Sequence, residues 1–277
     1  MPEGDTIFRA ARTLHRALAG RTVTQFESVY PALTRVDHDT PLPGRIVERV
    51  TARGKHLLMA FTGDLVLHTH MRMHGSWHIY KPGERWRAPR TQMRIILGTS
   101  AYVAVAFDVP VAEFLTGDAL ARHESLQSLG PDLTDAAFDR DEVRRRMGEH
   151  GAEPLHEVLL NQRVMAGIGN ELKSEVLFLA RLNPFARTDS LADEQFTRLM
   201  DLSLRLMSMN IVESATLGPV KGRRSNGSLD PRARIYVYGR AGKPCRRCGA
   251  AIQISKAGLN ARLTYWCPRC QPETAAS

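Results

Sequence analysis

Four cysteines in two close pairs, Cys245-x2-Cys248 and Cys267-x2-Cys270, constrain this chain more tightly than any other feature. Each pair bends the backbone so that two thiolates converge, and four thiolates complete a closed tetrahedral zinc site with no open coordination position. All four lie within the last 33 residues, which suits a metal site in a reducing compartment better than scattered disulfides. The eighteen residues between the pairs have the length for two short strands and a turn, with Ile252, Ile254, Leu263 and Tyr265 in alternation. Because metal binding supplies folding energy, one structural Zn2+ lets such a unit carry exposed basic residues without a large core. Lys256 and Arg262 are the candidates. Zinc units of this spacing also occur in proteins that bind nucleic acid without catalysis, so the pattern leaves function open.

The rest of the chain is long enough for two or three domains, and 43% hydrophobic residues suffice to bury real cores. No apolar run approaches the roughly 20 residues of a membrane span, and the charged, interrupted start Thr6-Ile7-Phe8-Arg9-Ala10 is not a secretory core. The expectation is a cytoplasmic protein. Lysine and arginine outnumber acids 38 to 29, a formal charge of +9, which points to a polyanionic partner such as nucleic acid.

The first five residues read Met1-Pro2-Glu3-Gly4-Asp5. Methionine before a small second residue is normally removed, which leaves a secondary amine beside a carboxylate, a nucleophile next to a proton carrier. Many proteins also simply begin this way. Ile7, Ala11, Leu14 and Leu18 recur at helical spacing, with Asp5 or Thr6 to cap the start and Gly20 to close the end. A helix beginning there disfavours a second cation at Pro2 and keeps the amine unprotonated more often, although Glu3 acts in the opposite direction.

Residues 22–114 turn β-rich, with runs at Val23–Tyr30, Ile46–Phe61, Leu65–Tyr80 and Met93–Phe107, and predict a β-sandwich or open barrel. Arg53-Gly54-Lys55-His56 interrupts one run at a flexible point, either a solvated strand edge or a placed cation. In the run Leu67 to Gly75, two-residue alternation sends His68, His70, Arg72 and His74 to one face. Three histidines without a nearby acid read as packing or a nucleic-acid surface more readily than as zinc ligands.

From Thr116 to about Ala215 the pattern is helical, with segments at Ala136–His150, Leu155–Asn161, Glu171–Leu182 and Leu191–Glu213, the last capped by Ser190. Gly167-Ile168-Gly169-Asn170 precedes one of these helices. Glycines there either let backbone N–H groups approach a phosphate or merely end the preceding turn. Between Leu217 and Arg234, five basic residues and three glycines make a mobile cationic stretch, a linker or a lid.

Five separate motifs then agree. Pro2-Glu3-Gly4, Arg53-Gly54-Lys55, Ala166-Gly167-Ile168-Gly169-Asn170, the run Val237-Tyr238-Gly239-Arg240 through Cys248-Gly249, and Arg262-x3-Trp266-Cys267-Pro268-x-Cys270-Gln271 together resemble the formamidopyrimidine-DNA glycosylase and endonuclease VIII family. The resemblance implies an α+β protein with an N-terminal β-sandwich and helix in 1–115, a helix-two-turn-helix domain in 116–225 and a zinc β-hairpin in 226–277. It further implies a monomer that binds double-stranded DNA containing damaged bases or abasic sites in a cleft, in the cytoplasm and associated with the nucleoid. By the same resemblance Pro2 is the nucleophile, Glu3 the acid/base and Lys55 a cation for phosphate contact and catalysis. Asn170 and Arg262 look like backbone clamps, and Arg72-Met73-His74 sits where endonuclease VIII members carry a wedge. The implied reaction is base excision through a proline iminium followed by β- and δ-elimination.

Two departures bear on the branch. The family usually has glutamate at the position of Thr6, and Phe107 to Phe114 contains no arginine where formamidopyrimidine glycosylases carry an arginine loop that reads the opposite cytosine. The second departure, with Gly4, favours oxidised pyrimidines over 8-oxoguanine and formamidopyrimidines. The first keeps a non-catalytic zinc-dependent DNA-binding protein as the alternative of another class.

Overall fold

A computed structural model describes residues 2–216, 222–228, 230, 232–257 and 262–273. The chain divides into two units, Met1–Ser128 and Leu129–Ser277.

The first unit opens with α1 (Gly4–Leu18). Ile7, Ala11, Leu14 and Leu18 are buried as helical spacing requires, with Ala17 beside them. The start differs from expectation. Glu3 occupies the N-cap and its carbonyl accepts the Thr6 and Ile7 N–H groups at 3.0 Å, so Asp5 and Thr6 lie inside the first turn and do not cap it.

There follow β1 (Val23–Ser28), α2 (Pro31–Asp39), β2 (Val47–Arg53), β3 (His56–Phe61), β4 (Leu65–His70), β5 (Ser76–Tyr80), β6 (Met93–Thr99), β7 (Val103–Phe107) and β8 (Val111–Leu115). They form two antiparallel sheets of order β2-β3-β4-β8 and β1-β6-β7-β5. Val50, Leu57, Met59 and Leu67 of one sheet share a core with Ile95, Leu97, Ala104 and Ala106 of the other and with α1. Ile96, Val105 and Phe107 point the other way and pack with Tyr80 and Trp86. Burial on both faces explains why β6 and β7 read as continuous apolar runs.

The helix α2 was not expected inside the β-rich region. Its signal is Pro31 at the first helical position, where the missing N–H costs nothing. The helix buries only Leu33, too narrow a stripe to register as a period. Two short helices, α3 (Gly117–Ala121) and α4 (Glu124–Gln127), close the unit.

The second unit holds α5 (Arg140–Gly148), α6 (Leu155–Val158), α7 (Asn170–Ala180), α8 (Asp193–Thr216) and the hairpin of β9 (Gln253–Ala257) with β10 (Arg262–Trp266). Val143, Leu155, Val158, Leu172, Val176, Leu199 and Met200 form its main core. Ser190 does not cap α8. It lies in a 3-10 turn with its hydroxyl donating to the Arg187 carbonyl at 2.7 Å, and the Ala192 N–H is instead satisfied by the Gln195 side chain at 3.0 Å. The chain is thus α+β: N-terminal sheets, a helical middle and a cysteine-bracketed hairpin. Among the described residues no helix is long and apolar enough to cross a membrane.

Candidate functional site

Pro2 is half-buried and Glu3 is fully buried at the head of α1. With its carbonyl accepting two N–H groups of the first turn, the Glu3 backbone is held at the head of the helix, directly after Pro2. Asp5 is also fully buried. It accepts a hydrogen bond from the Thr6 hydroxyl at 3.3 Å and faces the Arg9 guanidinium at 3.9 Å. Met1 lies outside the described residues.

The Arg53-Gly54-Lys55-His56 segment is a tight hairpin turn, not a flexible interruption. Arg53 pairs with His56, which leaves Gly54 and Lys55 as a two-residue loop between β2 and β3. Gly54 takes φ 57°, the left-handed value required at the first position of a type II′ turn and cheap only for glycine. Lys55 is therefore fixed on a rigid hairpin, and α1 packs against both of its strands.

Alternation along Leu67 to Gly75 stops at His70, where β4 ends. Residues 71–75 form the turn that carries the chain from one sheet to the other. Met71 is buried, while Arg72, Met73 and His74 are exposed, Met73 at 43%. Gly75 is obligatory there, because a Cβ would lie 2.6 Å from the Met71 carbonyl oxygen and 2.9 Å from its Cα. His74 is thus separated from His68 and His70. His68 and His70 do share a face, both rings packing against His56, and His68 also meets Glu113 and His123.

In the second unit the four cysteine sulfurs lie within 4.8 Å of one another, with Cys248 and Cys267 at 3.4 Å and Cys245 and Cys270 at 3.9 Å. Tetrahedral zinc with Zn–S bonds of about 2.3 Å needs sulfurs about 3.8 Å apart, so the donor set fits one Zn2+. The hairpin's apolar alternation is only partly as expected. Ile252 is buried, but Ile254 and Leu263 are exposed, and Thr264 fills the inward position on β10.

Thr264 faces inward because α7 offers it a buried partner. Lys173, fully buried, donates from Nζ to Thr264 Oγ1 and to Asn170 Oδ1, each at 2.8 Å, while Asn170 Nδ2 donates to the Leu263 carbonyl at 2.8 Å. Asn170 is the first residue of α7 and is itself buried, so its amide joins the helix to β10. Arg262, one residue before Leu263, is exposed at the head of β10. Gln271 completes the attachment: its Oε1 accepts the Cys267 N–H at 3.0 Å and its Nε2 donates to the Leu182 carbonyl at 2.9 Å.

Glu175, also on α7, escaped the sequence reading. Its carboxylate accepts the backbone N–H groups of Tyr236, Val237 and Tyr238 at 2.8 Å each and the Ser225 hydroxyl. Burial pushes its pKa up, against the pull of those hydrogen bonds. The 217–234 stretch is accordingly not a mobile tether where it is described. Arg223 pairs with Glu171 at 3.0 Å, and Arg224 exchanges hydrogen bonds with the Asn210 side chain at 2.8 and 2.9 Å. Residues 217–221, 229 and 231 lie outside the described residues. We expect Glu175→Ala to lower stability by about 3 kcal/mol or more, since several buried donors lose their acceptor at once. Urea denaturation checks this, and a loss below about 1 kcal/mol would show that water replaces the carboxylate.

Comparison with known proteins gives concordant results along the chain. Residues 1–108 match the formamidopyrimidine-DNA glycosylase N-terminal domain, 129–218 the formamidopyrimidine-DNA glycosylase H2TH domain, and 242–272 a zinc finger found in FPG and IleRS. The chain is 40% identical over 274 residues to probable endonuclease 8 2 of Streptomyces coelicolor, covering 98% of this chain and 94% of that protein. It is 36% identical over 271 residues to the DNA-(apurinic or apyrimidinic site) lyase Nei2 of Mycolicibacterium smegmatis, covering 98% and 99%. Among solved structures, a complex between Lactococcus lactis Fpg and DNA containing an abasic site superposes with a TM-score of 0.82 at 25% identity, covering 98% of this chain and 100% of that one.

Proposed function

The chain belongs to the formamidopyrimidine-DNA glycosylase and endonuclease VIII family, and from that premise we propose that it is a DNA glycosylase and abasic-site lyase of base excision repair. The observation that carries this is Glu3, a fully buried carboxylate on a fixed backbone directly after Pro2. In this reading the Pro2 amine, freed of Met1, attacks C1′ of a nucleotide flipped from the duplex. The damaged base leaves, and the amine proton passes to Glu3 and on to the ring oxygen O4′, which opens the sugar and leaves an iminium at C1′. Loss of a C2′ proton then expels the 3′ phosphate, a second elimination expels the 5′ phosphate, and hydrolysis of the iminium returns the free amine. Glu3 is the proton carrier in this reading, and Asp5, whose carboxylate meets the Thr6 hydroxyl and the Arg9 guanidinium, is assigned no step.

Lys55 holds a phosphate from its rigid hairpin. Asn170, through the amide N–H not given to Leu263, and Arg262 hold the backbone of the same strand. Met73 on its exposed turn fills the space left by the flipped nucleotide, as an unbranched and adaptable side chain can. Residues 1–115 thus carry the chemistry, and 116–225 and 226–277 the grip on DNA, in a monomer of the cytoplasm and nucleoid. The zinc supplies folding energy to the hairpin that carries Arg262 and takes no part in a step.

Oxidised pyrimidines are the favoured substrates. The segment Phe107 to Phe114, where formamidopyrimidine glycosylases carry an arginine loop that reads the opposite cytosine, holds no arginine, and from Val111 onward it belongs to β8, paired along β4. Thymine glycol removed more slowly than 8-oxoguanine from otherwise identical duplexes would reverse this choice. The decisive experiment is borohydride trapping: processed protein mixed with abasic or lesion duplex gives a covalent adduct, and protein that retains Met1 gives none. No adduct between pH 6 and 8 would leave a DNA-binding protein without catalysis. For the grip, Arg262→Ala is expected to weaken binding and to reduce the slope of log K against log salt by about 1. An unchanged slope would remove Arg262 from the phosphate contacts.

A further inference from the structure

We propose that His68, Glu113 and His123 form a second metal site, distinct from the four cysteines, which binds a divalent transition-metal ion, zinc foremost, through His68 Nδ1, a Glu113 carboxylate oxygen and His123 Nε2. The three donors come from β4, β8 and the residue that caps α4, and their ligand atoms lie within 4.8 Å of one another. Cross-strand pairing sets His68 directly opposite Glu113. His68 Nδ1 lies 2.8 Å and His123 Nε2 3.0 Å from the same oxygen, Glu113 Oε1. Two imidazoles and a carboxylate converging on one point are the donor set of open zinc sites, which keep a coordination position for water.

The surroundings of the two rings carry the argument further. A ligating histidine must present one nitrogen lone pair to the metal and donate the other N–H outward, and outer partners that fix this tautomer are a regular part of metal sites. Both partners exist. His68 Nε2 lies 2.8 Å from His56 Nδ1, and His123 Nδ1 lies 3.1 Å from Ser125 Oγ. His68 is 2% exposed, whereas the Glu113 side chain is 41% exposed, which gives an ion and its water a route in.

Nothing in the reaction through Pro2 needs this ion, and its chemistry differs from the closed thiolate site. His2Glu favours zinc, nickel or copper over magnesium or calcium. The ion would join β3, β4, β8 and the start of α4 at the end of the sheet where the Lys55 hairpin turns.

The test is metal stoichiometry of the full chain, with zinc as the probe. Wild type dialysed against zinc and then desalted is expected to hold about two equivalents, and His123→Ala and Glu113→Gln about one each. Cobalt substitution separates the sites. The cysteine site gives thiolate-to-metal charge transfer, and the second site gives weak visible bands without it that vanish in both variants. Circular dichroism of the metal-free variants guards against a folding defect, and Glu113→Asp is expected to restore the second equivalent. One equivalent in wild type, insensitive to added zinc, would mean that these side chains form only a hydrogen-bonded array. A second equivalent that survives in both variants would place the ion elsewhere. Either result overturns the proposal.

Discussion

Glu3→Gln is expected to slow excision of an intact damaged base by about 100- to 10,000-fold, the range over which a positioned acid/base acts, and to slow cleavage at a preformed abasic site far less. The asymmetry follows from where protons must move. An intact nucleotide has a closed sugar, and opening it needs a proton delivered to O4′ as the amine attacks. An abasic site already equilibrates with its open aldehyde, and an amine forms an iminium with an aldehyde without help at the ring oxygen. Glutamine preserves the shape of Glu3 in its buried position at the N-cap of α1 but cannot carry a proton. Single-turnover gels with a lesion duplex and an abasic duplex give the two rates, and a melting curve confirms that the variant is folded. Equal losses on both substrates would assign Glu3 to amine activation in general, and no loss on either would remove it from the mechanism.

Loss of zinc is expected to have the other large effect. Cys248→Ser, or prolonged chelation of the wild type, should abolish DNA binding while leaving most helical circular dichroism in place. The hairpin has little core of its own. Ile254 and Leu263 are exposed, and the cluster beneath it consists of Phe178, Val237, Ile252 and the metal-binding cysteines Cys245 and Cys267. Zinc supplies about 10–16 kcal/mol of apparent binding energy to isolated finger peptides at neutral pH, more than such a cluster can replace. When β10 loosens, Arg262 loses its position, and Lys173 loses Thr264 and the nearby Leu263 carbonyl, leaving a buried ammonium with fewer partners. The damage therefore reaches α7. Filter binding at two salt concentrations together with a zinc-release assay tests this. A zinc-free variant that binds DNA like wild type would show that the hairpin is dispensable for the grip.

Some of this architecture is written locally. The four cysteines announce their metal, Ile7, Ala11, Leu14 and Leu18 announce α1, and glycine before Lys55 announces a turn. Each works because the physical requirement, whether ligand spacing, helical period or a left-handed dihedral, involves residues a few positions apart. The run Met93–Phe107 was also legible as β-rich, although its division into β6 and β7 and their burial on both faces were not.

Other features depend on partners far along the chain. Nothing near Lys173 or Glu175 shows that these charges are buried, because their partners are Thr264, Ser225 and the backbone at 236–238. The alternation that put His74 with His68 and His70 fails because the chain leaves one sheet for the other at residue 71, a choice made by packing and by the close approach at Gly75. His68 acquires Glu113 and His123 only when β8 pairs with β4. The sequence by itself determined the metal, the helix behind Pro2 and the family, since these rest on short-range spacing and on motif identity. Tertiary structure alone decided which charges are buried, how the hairpin is tied to α7 and which histidines meet a carboxylate, because burial and long-range pairing exist only once the two ends of a contact have been brought together.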